Sequence, residues 1–365
     1  MRPDAAIGRV TARAYTVPTD APEADGTFAW DRTTLVVVEV AAGGETGLGY
    51  TYADACLVRL IEKTLGPVIA GANAMDMRAA WTAMQHAVRN LGRSGLAACA
   101  ISAIDVALWD LKAKLLGVPL ALLFGQERAS VSIYGSGGFT SYDDAQLRDQ
   151  LAGWVERDGC RAVKMKIGTH TDQDPHRVAI AKKAIGDAAL FVDANGAFGV
   201  REALRVARIF ADSAEIRWFE EPVSSDDLEG LRLVREAAPA GVDIAAGEYV
   251  YTQDDARLML GSGAVDVQQA DATRCGGITG FLAIAAQCEA HHIDLSGHCA
   301  PALHLHAACA APRFRHLEWF HDHVRIEHML FDGAPVPKDG AIRPDLSRPG
   351  LGLTFKHSDA ERYQA

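Results

Sequence analysis

Between about residue 130 and residue 298 the chain alternates short apolar runs with amphipathic helical stretches, a rhythm that few folds can absorb. The runs are VSIYG, AVKMKIG, LFVDANG, IRWFEEP, VDIAAGE, VDVQQAD and IDLSGH, separated by pieces such as YDDAQLRDQLAGWVERDG. Such alternation predicts repeated βα units and a parallel sheet. Seven or so strands in roughly 200 residues fit a closed (β/α) barrel better than an open doubly wound sheet. No G-x-G-x-x-G follows a strand to mark a dinucleotide fold.

The first 125 residues follow another pattern. TTLVVVEVAA (33–42) has the β-branched composition of a buried strand, and GLGYTY (47–52) follows it after the turn signal GGETG. Ahead of them VPTDAPEADGTFAWD (17–31), rich in Pro, Gly and acids, reads as an exposed loop of the length that often serves as a lid. SGLAACAISAIDVALWDLKAKLLG predicts a helix with Ser94 as N-cap, Gly117 as stop, and Leu96, Ile101, Ile104, Leu108, Leu111 and Leu115 on one face. The expected organisation is α/β: an N-terminal α+β capping domain (1–125), a modified (β/α)8, TIM-like barrel (126–330) and a return segment (331–365) packed on the capping domain.

At 365 residues, with 49% hydrophobic and 23% charged residues, the composition is that of a soluble globular protein with a large core. No apolar stretch is long enough to span a bilayer, and the N-terminus has no secretory h-region, so a cytoplasmic location and no membrane partner are expected. A net charge of −11 argues against nucleic acid as a partner. It leaves room for a small anionic substrate held by a metal and local cations. The seven cysteines include no C-x-x-C pair and read as reduced thiols, mostly core fillers.

Several runs end on residues that can carry chemistry. Asp193, Glu220 and Glu248 recur at steps of 27 (220−193) and 28 (248−220) residues. One strand, one helix and two loops consume about that much chain, so the three carboxylates should end successive strands and converge on one barrel face. Oxygen ligands without His or Cys at matching positions suit a hard cation such as Mg²⁺, one per subunit. Lys164 and Lys166 alternate on one side of a strand, and mutual repulsion should let one of them act as a general base. Asp271 and His298, again 27 residues apart (298−271), could form an acid/base dyad, with Glu318 as a further strand-end carboxyl.

Blander readings exist for other motifs. His304-x-His306 and His321-x-His323 look like zinc pairs, but no Cys stands at useful spacing and the carboxylates already account for a metal. CGGITG could be taken for a phosphate cradle, yet a tight turn from strand into helix explains its glycines.

Taken together, GRSGLAACAISAIDVALWDLKAK, VKMKIG, DANG, WFEEP, GE, DATRCGGITG and GH stand in an order that resembles the mandelate racemase branch of the enolase superfamily over essentially the whole chain. The resemblance implies Asp193, Glu220 and Glu248 as metal ligands, and Lys166 as the base with Lys164 beside it lowering its pKa. It further implies Asp271 and His298 as the dyad, Glu318 bonded to the substrate's ionised end, and Asn195 as a substrate contact. The muconate-lactonising and dipeptide-epimerase branches place a Lys where Asp271 stands, which disfavours them. It also suggests a homo-oligomer, an octamer or dimer.

The expected reaction is abstraction of the α-proton of a hydroxycarboxylate to give an enediolate. Loss of a β-hydroxyl would make the enzyme an acid-sugar dehydratase yielding a 2-keto-3-deoxy acid. Reprotonation would make it a racemase or epimerase, and ring opening or closure a cycloisomerase. Polar residues in 17–31, together with Trp30, Tyr50 and Tyr52, are expected to hydrogen-bond a polyol, which favours dehydration of an aldonate or aldarate.

Overall fold

The structure, a computed structural model, describes residues 5–365. Three antiparallel strands open the chain: β1 (Val10–Ala24), β2 (Ala29–Ala42) and β3 (Glu45–Tyr52). Residues 17–31, expected as a loop, are instead mostly strand. β1 and β2 continue as one long hairpin with an irregularity between Pro18 and Glu23, where the proline removes a ladder donor, and only residues 25–28 form the tip. The sheet packs on the helix Leu96–Leu116, buried on nearly all sides although Leu96 itself is exposed. Gly95 (φ 71°), not Ser94, precedes its first turn, and Gly117 ends it in the left-handed conformation as expected.

Eight parallel strands follow: β4 (Val131–Gly137), β5 (Ala162–Lys166), β6 (Ala189–Asp193), β7 (Trp218–Glu220), β8 (Asp243–Ala246), β9 (Val267–Ala270), β10 (Asp294–Gly297) and β11 (Phe314–Phe320). They pair in chain order, and β11 closes on β4. Tyr134, Phe191, Trp218, Ala245 and Val267 fill the barrel interior below the mouth. FRHLEWF, the run that carries Glu318 as a strand-end carboxyl, is the eighth strand and completes the (β/α)8 barrel that the sequence predicts.

The long helix locks the capping domain to the barrel through buried polar groups. Ser102 Oγ accepts from the N–H groups of Gly276 and Gly277, at 2.9 and 3.0 Å. Asp105 accepts from Thr279 N at 2.9 Å and Thr279 Oγ1 at 2.7 Å. These are the donors a phosphate would need in CGGITG, so that segment is a joint between domains. Asp110, fully buried, accepts from Leu48 N and Leu351 N and pairs with Lys114, tying strand, helix and return segment together. Along that segment Ala341–Ile342 pairs with β4, and Phe355 packs on Tyr15 of the capping sheet.

Candidate active site

Strand register brings the acidic set together. Lys166 pairs with Asp193 and Asp193 with Glu220 across the ends of β5, β6 and β7, while Glu248 follows β8. Carboxylate oxygens of Asp193, Glu220 and Glu248 all lie within 4.8 Å of one another, close enough to share a metal ion. Trp218, two residues before Glu220 and therefore on the same strand face, donates its indole N–H to Glu220 Oε2 at 2.9 Å. Asn195 N donates to Asp193 Oδ1 at 2.9 Å.

Five buried carboxyls (Asp193, Glu220, Glu221, Glu248 and Glu318) face two buried ammonium groups, Lys164 and Lys166. Excess buried negative charge is costly unless a cation compensates it. An all-oxygen triad of this kind fits Mg²⁺.

Lys164 is fully buried; its ammonium bonds Glu220 and lies 3.2 Å from Asp193 and 2.9 Å from Glu318. Lys166 Nζ donates to Asp193 Oδ2 at 2.6 Å. Burial pushes the Lys166 ammonium toward neutrality, but Asp193, aided by Glu248 and Glu220, outweighs both burial and repulsion from Lys164, so its pKa is raised. The expected fall toward neutrality is therefore not what the carboxylates alone impose. A cation held by those acids would draw off the charge that keeps the proton on Lys166.

On the other side of the mouth, His298 Nδ1 lies 2.9 Å from Asp271 Oδ2. Its Nε2 is 3.5 Å from Glu248 Oε2 and 3.6 Å from Glu318 Oε2. Burial disfavours the imidazolium, yet Glu248, Glu318 and the bond to Asp271 together raise its pKa above the ordinary value. Asp271 is held well below the usual range: burial works against ionisation, and His298 and Arg274 overcome it. Glu318 is likewise kept ionised by Lys164 and His298 against burial, and accepts from Ser136 Oγ at 2.6 Å.

Lys166, Asn195, Glu248, His298 and Glu318 line a cavity of about 520 Å³ roofed by the hairpin and β3, which contribute Trp30, Arg32 and Tyr52. Tyr52 stacks on His323 with centroids 3.5 Å apart. Tyr50 does not reach this cavity. Two residues back from the strand end, it is fully buried and donates its hydroxyl to Glu327 Oε1 at 2.5 Å. A larger cavity of about 670 Å³ lies beyond Asn195 and Tyr249, but Lys166, His298, Asp193, Glu220 and Glu248 are absent from its walls.

Arg274 and Cys299 also line the site, although the sequence offers them no role there, and so does His323, which with His321 is expected from the sequence as a residue of the mouth. Arg274 stands three residues after Asp271, and Cys299 directly follows His298, which were the available signals. Of the His321-x-His323 pair, it is His323 that reaches the cavity, carried there by the helix His321–Leu330. His304 and His306 are core residues, accepting from Ala272 N and Ala121 N.

The hairpin tip is docked. A Cβ on Gly26 would fall 2.2 Å from Ala194 O and 2.7 Å from Ile167 O, so only glycine lets the tip sit on the barrel rim. Thr140 N donates to Ala24 O, and Ser141 Oγ to Pro22 O. Just behind the tip Trp30 Nε1 donates to the buried Glu23 Oε2 at 2.7 Å, leaving Glu23 Oε1 without a partner. Burial first, then Asp322 and Asp20, push the Glu23 carboxyl up to about 8, opposed by Trp30 and Arg325.

The sign of the effect follows from linkage. A released hairpin returns Glu23 to its ordinary 4.5, so closure is unhindered below that pH and costs progressively more as pH rises toward 8, by as much as about tenfold per unit. We expect KM to rise with pH across this window and to level off above it, and Glu23→Gln to flatten the profile. A wild-type profile already flat would remove Glu23 from control of the hairpin's docking.

Two family descriptions match the chain: "Mandelate racemase / muconate lactonizing enzyme, N-terminal domain" over residues 9–125 and "Enolase C-terminal domain-like" over residues 146–360. A 3,6-anhydro-alpha-L-galactonate cycloisomerase of Streptomyces coelicolor is 34% identical over 96% of this chain and 97% of its own length. A mandelate racemase/muconate lactonizing enzyme-like protein from Rubrobacter xylanophilus superposes with TM-score 0.96 at 52% identity, covering 99% of this chain and all of the other. L-Talarate dehydratase from Polaromonas sp. JS666, solved in complex with Mg and L-glucarate, gives TM-score 0.89 at 32% identity over 99% and 98% of the two chains. Among the described residues no helix is long and apolar enough to cross a membrane.

Proposed function

The chain belongs to the enolase superfamily, in its mandelate racemase branch, and on that premise we propose that it dehydrates a sugar acid to a 2-keto-3-deoxy acid. The observation that carries this reading is the placement of Lys166 and His298, which reach the cavity from either side of the three strands bearing Asp193, Glu220 and Glu248. One Mg²⁺ per subunit, held by those carboxylates, would supply the positive charge that stabilises an enediolate. Lys166 Nζ takes the α-proton. His298, oriented by Asp271 and charged, gives a proton to the departing β-oxygen. Glu318 would hydrogen-bond the substrate carboxylate after taking up a proton as the substrate anion enters, with the buried Lys164 ammonium behind it, and Asn195, Trp30 and Tyr52 contact the chain of hydroxyls.

Which oxygen departs separates two outcomes. A free β-hydroxyl leaves as water, giving dehydration; a ring ether oxygen at the same carbon stays attached, giving cycloisomerisation by ring opening. The second reading is favoured by the identity to the cycloisomerase over nearly both full lengths. Around the cavity Asp25, Arg32, Thr33, Thr34 and Asp54 offer a polar wall, which fits a polyol better than an aromatic acid.

The test is a Mg²⁺-supplemented panel of aldonic, aldaric and anhydro sugar acids, read by semicarbazone absorbance for 2-keto product, with NMR in D₂O on silent members. Keto product from an open-chain acid establishes dehydration, and product from anhydro acids alone establishes cycloisomerisation. α-Deuteration without product would replace both readings with racemisation or epimerisation.

A further inference from the structure

Cys299 packs beside Phe139 and Phe320, but its sulfur also faces two polar side chains of the cavity. Its Sγ lies 3.3 Å from His298 Nε2 and 3.4 Å from Glu318 Oε2, and those two atoms are 3.6 Å apart. Ligands at ordinary zinc distances, about 2.3 Å to sulfur, 2.0–2.1 Å to nitrogen and 2.0–2.2 Å to oxygen, stand about 3.4–3.6 Å from one another around a tetrahedron. The three measured edges match that triangle to within about 0.3 Å. All three residues line the same cavity, which leaves the fourth coordination position facing it.

Each candidate ligand is also braced from behind, as metal ligands generally are. His298 has its other ring nitrogen on Asp271 Oδ2, leaving Nε2 as the free donor. Glu318 has Oε1 fixed by Ser136 Oγ and Lys164 Nζ. Cys299 is set by its left-handed backbone (φ 52°) and by its own N–H, which donates to Glu318 Oε2 at 3.1 Å. The donor set of imidazole, thiolate and carboxylate is softer than the Asp193, Glu220 and Glu248 triad, so the two sites prefer different cations.

The geometry points to a second, zinc-class metal site on His298, Cys299 and Glu318, distinct from the carboxylate site, at which Zn²⁺ acts as a reversible inhibitor. Binding releases two protons to solvent, one from the Cys299 thiol and one from Nε2 of the charged His298 imidazole, as the Zn–S and Zn–N bonds form. It also occupies His298 Nε2, so the imidazole can no longer give or take a proton. Only this inhibitory consequence rests on the function proposed above; the binding does not.

The probe is Co²⁺ titrated into protein equilibrated with excess Mg²⁺. Cobalt on carboxylates alone gives no thiolate charge-transfer band, whereas cobalt on Cys299 does. One equivalent should produce the near-ultraviolet band, Zn²⁺ should displace it, and Cys299→Ser should remove it. In the unmodified protein, Zn²⁺ should slow alkylation of Cys299 at least about tenfold while leaving the exposed Cys56 unprotected, as read by peptide mass spectrometry. No thiolate band in the wild type, a band that survives Cys299→Ser, or equal alkylation with and without Zn²⁺ would overturn the proposal. None of these readouts depends on turnover, so a failed substrate panel leaves the test intact.

Discussion

Lys166→Met is expected to lower turnover by about 10²–10⁴-fold or more, and His298→Asn by a similar factor, with both proteins folded. Methionine keeps the length of the lysine stem and removes one of two buried ammonium groups, so packing around β5 changes little. Asparagine at 298 retains a polar group near Asp271 but cannot carry the proton. The two losses should differ in kind. If Lys166 takes the α-proton, His298→Asn still forms the enediolate and exchanges the α-hydrogen with D₂O, whereas Lys166→Met shows neither exchange nor product. The reverse pattern would make His298 the base and follow from the opposite α-configuration of the substrate. Near-normal kcat in both variants would end the proton-transfer scheme.

The barrel could be read from the sequence because its strands are short, apolar on both faces and bounded by turns, so the period change near residue 130 reports the architecture directly. The same regularity made the acids legible. In a parallel barrel a residue's distance from its strand's end fixes its height, and Asp193 and Glu220 occupy equal heights in the register. Tyr50 shows the limit of that logic. It lies on a capping strand whose depth depends on how two domains dock, and its partner Glu327 is 277 residues away. Cys299 and Glu318 were likewise separate signals until the parallel pairing of β10 with β11 placed them side by side. The hairpin at 17–31 was misread because its Pro, Gly and acids are loop residues by composition, whereas its conformation is set by pairing with β2 and by docking of Gly26. The raised pKa of Lys166 escaped for a related reason. Counting two lysines on one strand suggests repulsion, while the number of carboxyls around them is known only once the strands are assembled.

Stripping divalent metal with a chelator is expected to abolish turnover, and Mg²⁺ to restore it, because the cationic side chains around these acids, Arg274 beside Glu248 and Asp271 among them, are already paired. The two ammonium groups are already engaged: Lys164 with Glu220, Asp193 and Glu318, and Lys166 with Asp193. Several kcal/mol of transition-state stabilisation would go with the ion, about 10³-fold or more in rate. The same imbalance of five carboxyls against two ammonium groups predicts a stability effect. Mg²⁺ at about 100 times its Kd should stabilise the folded protein by about 2.7 kcal/mol, raising Tm measurably. Asp193→Asn removes the central carboxylate, which contacts both lysines, and should lose both the activity and the Mg²⁺-dependent rise in Tm. Lys166→Met should lose the activity alone, keeping a thermal response to Mg²⁺, since its side chain is outside the ligand triad. Measuring Tm with and without Mg²⁺ in these three proteins therefore separates metal binding from proton transfer. A metal-stripped wild type that still turns over, or an Asp193→Asn protein with an undiminished thermal response, would move the ion away from Asp193, Glu220 and Glu248.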